Sequence, residues 1–218
     1  RANVNIYRTE WKDRFKTVGY RDGNIRGTAD LQGIKQLHTG IELDFTYDLS
    51  DKFRLVGMAS VGDWEYAGNV SGTAFDDVDP VGTVTLYLDG IKVGNSAQTT
   101  ARLGFDWDVA KNFRVDYSHR YAARLYADIN TEDFDSVDND GSLQLPNYFL
   151  GDLGMSYKFD FKDSSNLNFR LNINNVGNTE YIAESLTNNF LESGDDSYQG
   201  INTNNKAFFG FGTTWNLT

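Results

Sequence analysis

Cysteine is absent from the chain, which removes disulfide frameworks, thiolate metal sites and cysteine nucleophiles together. Histidine is nearly absent. His38 and His119 are the only two, too few for an imidazole-rich metal centre. Proline occurs twice, at Pro80 and Pro146, so long strand ladders meet few interruptions. No apolar run approaches the roughly 20 residues of a transmembrane helix, which excludes helical membrane spans. Positive charge is in deficit: 20 Lys and Arg stand against 31 Asp and Glu, a net charge of −11. That balance argues against nucleic acid, whose binders carry a basic face, and against docking on an anionic lipid surface. There is no nucleophile elbow, phosphate-binding glycine loop or paired-histidine motif. Ser118 and His119 are adjacent, so in a strand they point to opposite faces and form no dyad. No catalytic residue, enzyme activity or cofactor is expected. The chain opens Arg1-Ala2-Asn3-Val4 without a signal-peptide pattern, which reads as a mature protein or a piece of a longer one.

What is present is alternation. From Leu37 to Tyr47, odd positions carry Leu37, Ile41, Leu43, Phe45 and Tyr47, while even positions carry His38, Glu42 and Asp44. Successive strand residues point to opposite faces, so this is a strand with one apolar and one polar side. The same odd-apolar parity recurs, and eight strands are expected: Asn3 to Trp11, Leu37 to Tyr47, Phe53 to Gly62, Thr99 to Trp107, Phe113 to Tyr121, Phe149 to Phe161, Leu167 to Ile173 and Phe209 to Leu217. Three connections are short, Asp48–Lys52, Asp108–Asn112 and Lys162–Ser165, and read as hairpin turns. The others are long: about Lys12 to Gln36, Asp63 to Gln98, Ala122 to Tyr148 and Asn174 to Ala207. Thr83 to Leu88 alternates too, so the fourth strand is expected to begin early and project beyond the sheet.

Short turns at one end and long loops at the other describe an all-β, antiparallel up-and-down transmembrane β-barrel. Phe45, Tyr47, Phe53, Trp107, Phe113, Phe159, Phe161 and Trp215 are expected at the short-turn end of the apolar face, as an interfacial aromatic girdle. A soluble glycan-binding β-sandwich also shows alternation. A self-contained eight-stranded barrel with a structural or adhesive role is the other alternative; its interior would be filled by side chains.

Several stretches resemble the C-terminal barrel of TonB-dependent outer-membrane receptors, especially the Bacteroidetes type. They are Asn5 to Arg14, His38 to Leu43, Gly62 to Tyr66, Leu145 to Leu153, and Leu171 to Tyr181 with its Asn-Val-Gly-Asn-Thr-Glu-Tyr ending. The resemblance implies that residues 1–218 are a barrel segment without plug or TonB box, the last eight strands of a 22-stranded barrel. The chain ends Trp215-Asn216-Leu217-Thr218, whereas members finish on an aromatic residue, so both ends look cut. The resemblance also implies a bacterial outer-membrane location and energy-coupled import of a scarce solute: an iron chelate, cobalamin, a glycan or a peptide. The implied partners are outer-membrane lipid, a plug domain, TonB and a surface lipoprotein.

The polar face is expected to look into the lumen and carries His38, Glu42, Asp44, Arg54, Arg102, Asp106, Arg114, Asp116, Arg120, Asp152 and Arg170. Opposite charges on neighbouring strands compensate one another, so a wetted structural wall is the plainer reading than solute contact. If the Asp108–Asn112 turn is symmetric, Asp106 faces Arg114. Leu43, Leu103, Leu153, Leu171 and Phe211 are expected to face lipid. Asp135, Asp138 and Asp140 lie in an oxygen-rich loop that suits calcium but lacks the EF-hand pattern, and a solvated loop fits better. Among the loop aromatics, Trp64, Tyr66, Tyr126 and Tyr181 are candidates for ligand stacking or for packing the loops together.

Overall fold

Alternating β-branched, aromatic and polar residues form strands wherever they occur, and several strands run further than the alternation predicts. In the computed structural model, which describes residues 1–161 and 165–218, the elements are all β. They are β1 (Ala2–Asp22), β2 (Ile25–Ser50), β3 (Phe53–Tyr66), β4 (Val70–Asp76), β5 (Asp79–Leu86), β6 (Thr99–Ala110), β7 (Phe113–Ala123), β8 (Leu125–Tyr126) and β9 (Gln144–Leu145). They continue with β10 (Tyr148–Asp160), β11 (Asn166–Asn174), β12 (Ile182–Ser185), β13 (Ser197–Tyr198), β14 (Ile201–Asn202), β15 (Ala207–Phe209) and β16 (Thr214–Leu217).

Eight of them build one antiparallel wall in the order β1-β2-β3-β6-β7-β10-β11-β16. The turns Asp51–Lys52 and Lys111–Asn112 lie at the same end, since they close successive antiparallel hairpins of this wall. The turn expected at Lys162–Ser165 falls, Ser165 aside, outside the described residues. The long connections all lie at the other end. Among the described residues β1 and β16 do not pair, so the sheet is an open barrel fragment. A closed eight-stranded barrel therefore does not describe it. Nor does a sandwich, because among the described residues no second sheet covers the apolar face: Leu103 is 58% exposed and Val61 48%.

The register keeps parity across the wall. Leu43, Ala59, Ala101, Tyr121 and Phe149 stand side by side on one face. Leu103 shares that face, as do Leu153 beside Ile173 and Leu171 beside Met155 and Leu217. Toward the short turns, aromatics of this face touch one another: Phe53 stacks on Phe105 at 5.5 Å, and Phe159 meets Tyr157 at 4.5 Å and Phe169 at 5.7 Å.

Four expectations about the chain path are corrected. Lys12 to Gln36 is no loop; it continues the β1–β2 hairpin to a tight turn at Gly23–Asn24, where Gly23 adopts φ 56°. Thr83 to Leu86 does not lead into β6. It belongs to β5, whose partner β4 pairs with the outer part of β2 from Thr28 to Leu31. The eighth strand is divided: Phe209 pairs with Ile182, β16 pairs with β11, and Gly210 and Gly212 break the ladder around Phe211. Phe211 is 85% exposed but lies outside any strand, so parity does not place it. Trp215 pairs with Ile173 near the long-loop end, not the short-turn end, because β16 runs away from the loops.

The long segments fold into a cap with its own apolar cores. One core gathers Val18, Ala29, Leu31, Ile34, Tyr66, Val70, Ala74, Leu86, Leu88, Ile129 and Phe134. The other gathers Leu125, Ala127, Leu143, Leu145, Ile182 and Ile201. The buried apolar residues thus lie at the loop end, while the wall below has little core of its own.

Candidate functional site

The polar face of the wall is laced by short cross-strand contacts. Arg54 lies opposite Asp48 and donates to it at 2.6 Å. Arg170 donates to both oxygens of Asp116 at 2.8 and 3.1 Å, and Arg120 pairs with Asp152 at 3.0 Å. Asp44 accepts from Asn3 and Glu42 from Asn5, at 3.0 and 3.1 Å. Asp106 and Arg114 form an ion pair at 3.2 Å on this face, but diagonally. A bulge between Asp108 and Ala110 makes the turn asymmetric, so Asp108 lies opposite Arg114 and Asp106 opposite Asp116. Arg102 stands opposite Arg120 and, among the described residues, has no carboxylate within ion-pair distance. All eleven residues of the expected lumen set sit on this one face by register. His119 does not: it stands opposite Leu103 on the apolar face, stacked on Phe149 at 5.5 Å.

Where the wall meets the cap, the polar face carries an aromatic cradle. The Trp64 indole stacks on the His38 imidazole with centroids 5.1 Å apart and planes within 13°. Its Nε1 donates to the Tyr7 hydroxyl at 2.8 Å. Its backbone is clasped by the buried Gln98 amide, which accepts from Trp64 N at 3.0 Å and donates to Trp64 O at 2.9 Å. Beside it, the Arg14 guanidinium lies 5.4 Å from the Trp11 ring centroid and donates through Nη1 to Gln36 Oε1 at 2.6 Å. Arg14, His38, Trp64, Gly94 and Ser96 line a cavity of about 400 Å³.

Two compensating bulges produce this arrangement. Below them, odd residues of β1 share the polar face with even residues of β2. The register shifts once between Trp11 and Arg14, on β1, and again between Arg14 and Lys16, on β2. Beyond them Lys16 pairs with Leu31 and Val18 with Ala29, and the Val18, Ala29 and Leu31 side chains turn into the cap core instead of toward the apolar face. Asp13 at φ 54° and Gly33 at φ 76° mark the two extra residues. Alternation alone misses the cradle, since Trp11 and Arg14 have opposite parity yet share one face.

The cap is tied to the wall by charge. Lys16 Nζ contacts both Asp128 oxygens at 2.5 and 2.6 Å. Lys92 reaches Asp63 at 2.6 Å and Glu65 at 3.4 Å, and Arg124 joins Asp63 at 3.1 Å. Partial burial pulls the Lys92 ammonium down, but these two carboxylates outweigh it and hold its pKa above the ordinary lysine value.

The stacking candidates separate. Trp64 lines the cradle. Tyr66 borders the same cavity but is 2% exposed within the first core, and Tyr181 packs on Tyr148 at 4.4 Å in the cap. Tyr126 is half-buried on β8, beside the second core. Asp135, Asp138 and Asp140 are exposed, and among the described residues no three His, Asp or Glu side chains converge as cation ligands. Phe134, in the same acidic segment, is fully buried and anchors that loop in the first core.

The model of the "TonB dependent receptor-like, beta-barrel" family matches residues 1–176. Among solved structures, the siderophore receptor PiuA from Acinetobacter baumannii aligns with a TM-score of 0.51 at 16% identity, covering 99% of this chain and 27% of that one. The ferric-catecholate import receptor Fiu from E. coli K12, in a closed form, aligns with a TM-score of 0.52 at 14% identity, covering 99% and 24%. The chain thus spans about a quarter of each receptor, and the likeness is one of fold. No curated protein sequence matches it. With the family model covering most of its length and an open antiparallel wall of the matching architecture, the chain belongs to the TonB-dependent receptor-like β-barrel family.

Proposed function

We propose that this chain is the barrel wall and loop cap of an outer-membrane transporter that imports a scarce solute, with energy delivered through TonB. The observation that carries the reading is the two-faced open sheet: exposed Leu43, Leu103 and Val61 on one side, charge-paired Arg120, Asp116 and Arg170 on the other. Such a sheet suits lipid outside and water or a plug inside. Its unpaired edges, β1 and β16, call for further strands, in keeping with a larger barrel of 22. On this reading the whole chain is one wall segment, the eleven polar residues face the lumen, and the short turns face the periplasm. The plug comes from elsewhere in the receptor, and a surface lipoprotein docks over the cap. The stretches Asn5–Arg14 and Leu171–Tyr181 support a Bacteroidetes-type member.

The test is deletion of the receptor gene, followed by growth with iron chelates, cobalamin, glycans or peptides limiting in turn. Loss of growth on one class, restored by the gene and abolished again by a protonophore, is the expected result. Normal growth of the deletion strain on all four classes would end the transport reading.

A further inference from the structure

We propose that the cradle of Arg14, His38 and Trp64 recognises an anionic solute bearing a flat ring, an inference that rests on the transport reading and narrows its substrate class. The argument starts from how Arg14 reaches this place. Below the bulges even residues of β1, such as Val4 and Ile6, lie on the exposed apolar face. The extra residue between Trp11 and Arg14, with Asp13 held at φ 54°, turns the guanidinium onto the polar face. Bulges re-aim side chains in this way beside binding sites.

Once there, Arg14 is oriented but not neutralised. Trp11 supports it from one side and the buried Gln36 fixes one N–H. Among the described residues no carboxylate lies within ion-pair distance of it, although the chain carries 11 more acidic than basic residues. Of the polar-face arginines, Arg54, Arg114, Arg120 and Arg170 each have a carboxylate partner. Arg102 shares with Arg14 the lack of one among the described residues, but it stands opposite Arg120 lower in the wall and does not line the cavity of the cradle. Lys16, at the rim, is committed to Asp128. A positioned, unpaired guanidinium offers its remaining N–H groups to a carboxylate or sulfonate in charge-assisted, bidentate fashion.

The flat component is supplied by Trp64. Stacking on His38, the bond from Nε1 to Tyr7 and the clasp of Gln98 hold the indole, so a planar ring can stack without an ordering penalty at that side chain. The cavity of about 400 Å³ between these groups is of small-ligand size. A cationic ring would meet Arg14 as a like charge, and a neutral ring would leave the guanidinium without its counter-charge.

The experiment titrates the purified full-length receptor in detergent with naphthalene-2-carboxylate, its neutral carboxamide and 2-naphthylmethylammonium, by calorimetry. The carboxylate is expected to bind roughly tenfold tighter than the carboxamide, the measure of a charged hydrogen bond, and the ammonium not at all. Arg14→Gln should remove that preference, Arg14→Lys should keep part of it, and Trp64→Leu should weaken both rings alike. A preference unchanged in Arg14→Gln, or equal binding of all three probes, would overturn the proposal. Heat-modifiable migration of each variant separates misfolding from lost recognition, and the Lys variant keeps the test valid if the Gln variant misfolds. Receptor-dependent growth with Arg14-independent binding sinks the cradle alone; Arg14-dependent binding without any growth phenotype sinks transport alone.

Discussion

Gly40 and Gly62 face each other across β2 and β3, and the rings of Tyr7 and Trp64 lie over them. A Cβ at Gly40 would run into the Tyr7 ring, and one at Gly62 into the Trp64 indole. Gly40→Val should therefore displace both rings, at an overpacking cost of about 1–3 kcal/mol. A red-shifted tryptophan emission and a lowered unfolding midpoint are expected; an unchanged spectrum would show that the rings do not rest on these glycines. The two faces of the wall predict a second contrast. Leu103→Arg places a charge toward lipid and should cost about 2–4 kcal/mol near the midplane. Met58→Arg, on the polar face between Asp44 and Arg102, should assemble normally. The measurement is the amount of heat-modifiable receptor in the outer membrane, and equal yields for the two variants would reverse the assignment of faces. The ion pairs contribute less: Asp116 and Arg170 are partly exposed, so Asp116→Asn should lower stability by only about 0.2–1 kcal/mol.

Among the elements, the β1–β2 hairpin does the most. Its lower half is wall and its upper half is cap, and the paired bulges are the joint between them. Removing one bulge by deleting Lys12 should rotate upper β1 by one position. Val18 would then leave the core and Arg14 would leave the cradle. The expected outcome is a receptor that still inserts in the membrane but whose cap is cleaved by added protease much faster than the wild type. Wild-type resistance in the deletion variant would show that the bulge does not set the cap. The short-turn hairpins behave differently, because their register follows the alternation and each needs only a local bulge beside its turn, at Asp48 to Ser50 and at Asp108 to Ala110.

For the whole molecule, the cap changes what surface digestion of intact cells should reveal. The connections of the wall are not slack: Tyr66, Leu86, Phe134 and Ile182 are buried in them. Cleavage is expected where the cap is exposed throughout, at residues 192–200 and at the β4–β5 tip around Asp77 and Val78. The turns Asp51–Lys52 and Lys111–Asn112 should be spared, since they emerge at the opposite end. Cutting at those turns in intact cells would invert the topology.

Much of this was legible from residue order. Alternation with period two determined the strands from Leu37 to Ile173 and which of their residues share a face, because a strand has no other way to place successive side chains. Charge signs at even positions foretold a charged face, but which charges pair was decided by the fold: Arg102 stands opposite Arg120 and Asp106 opposite Asp116, and the ion pair of Asp106 with Arg114 runs diagonally. The path from Lys12 to Gln36, the separate β4–β5 hairpin and the division of the last strand were decided only by the tertiary structure. A bulge shifts parity by one residue and leaves no periodic mark of its own, so Trp11 and Arg14 could be joined only by the folded register. The cap cores were hidden for a similar reason. Val18, Leu31, Leu86, Phe134 and Ile182 are scattered among Gly, Asn and Asp, and only the meeting of distant connections gathers the first four into one core and Ile182 into the other.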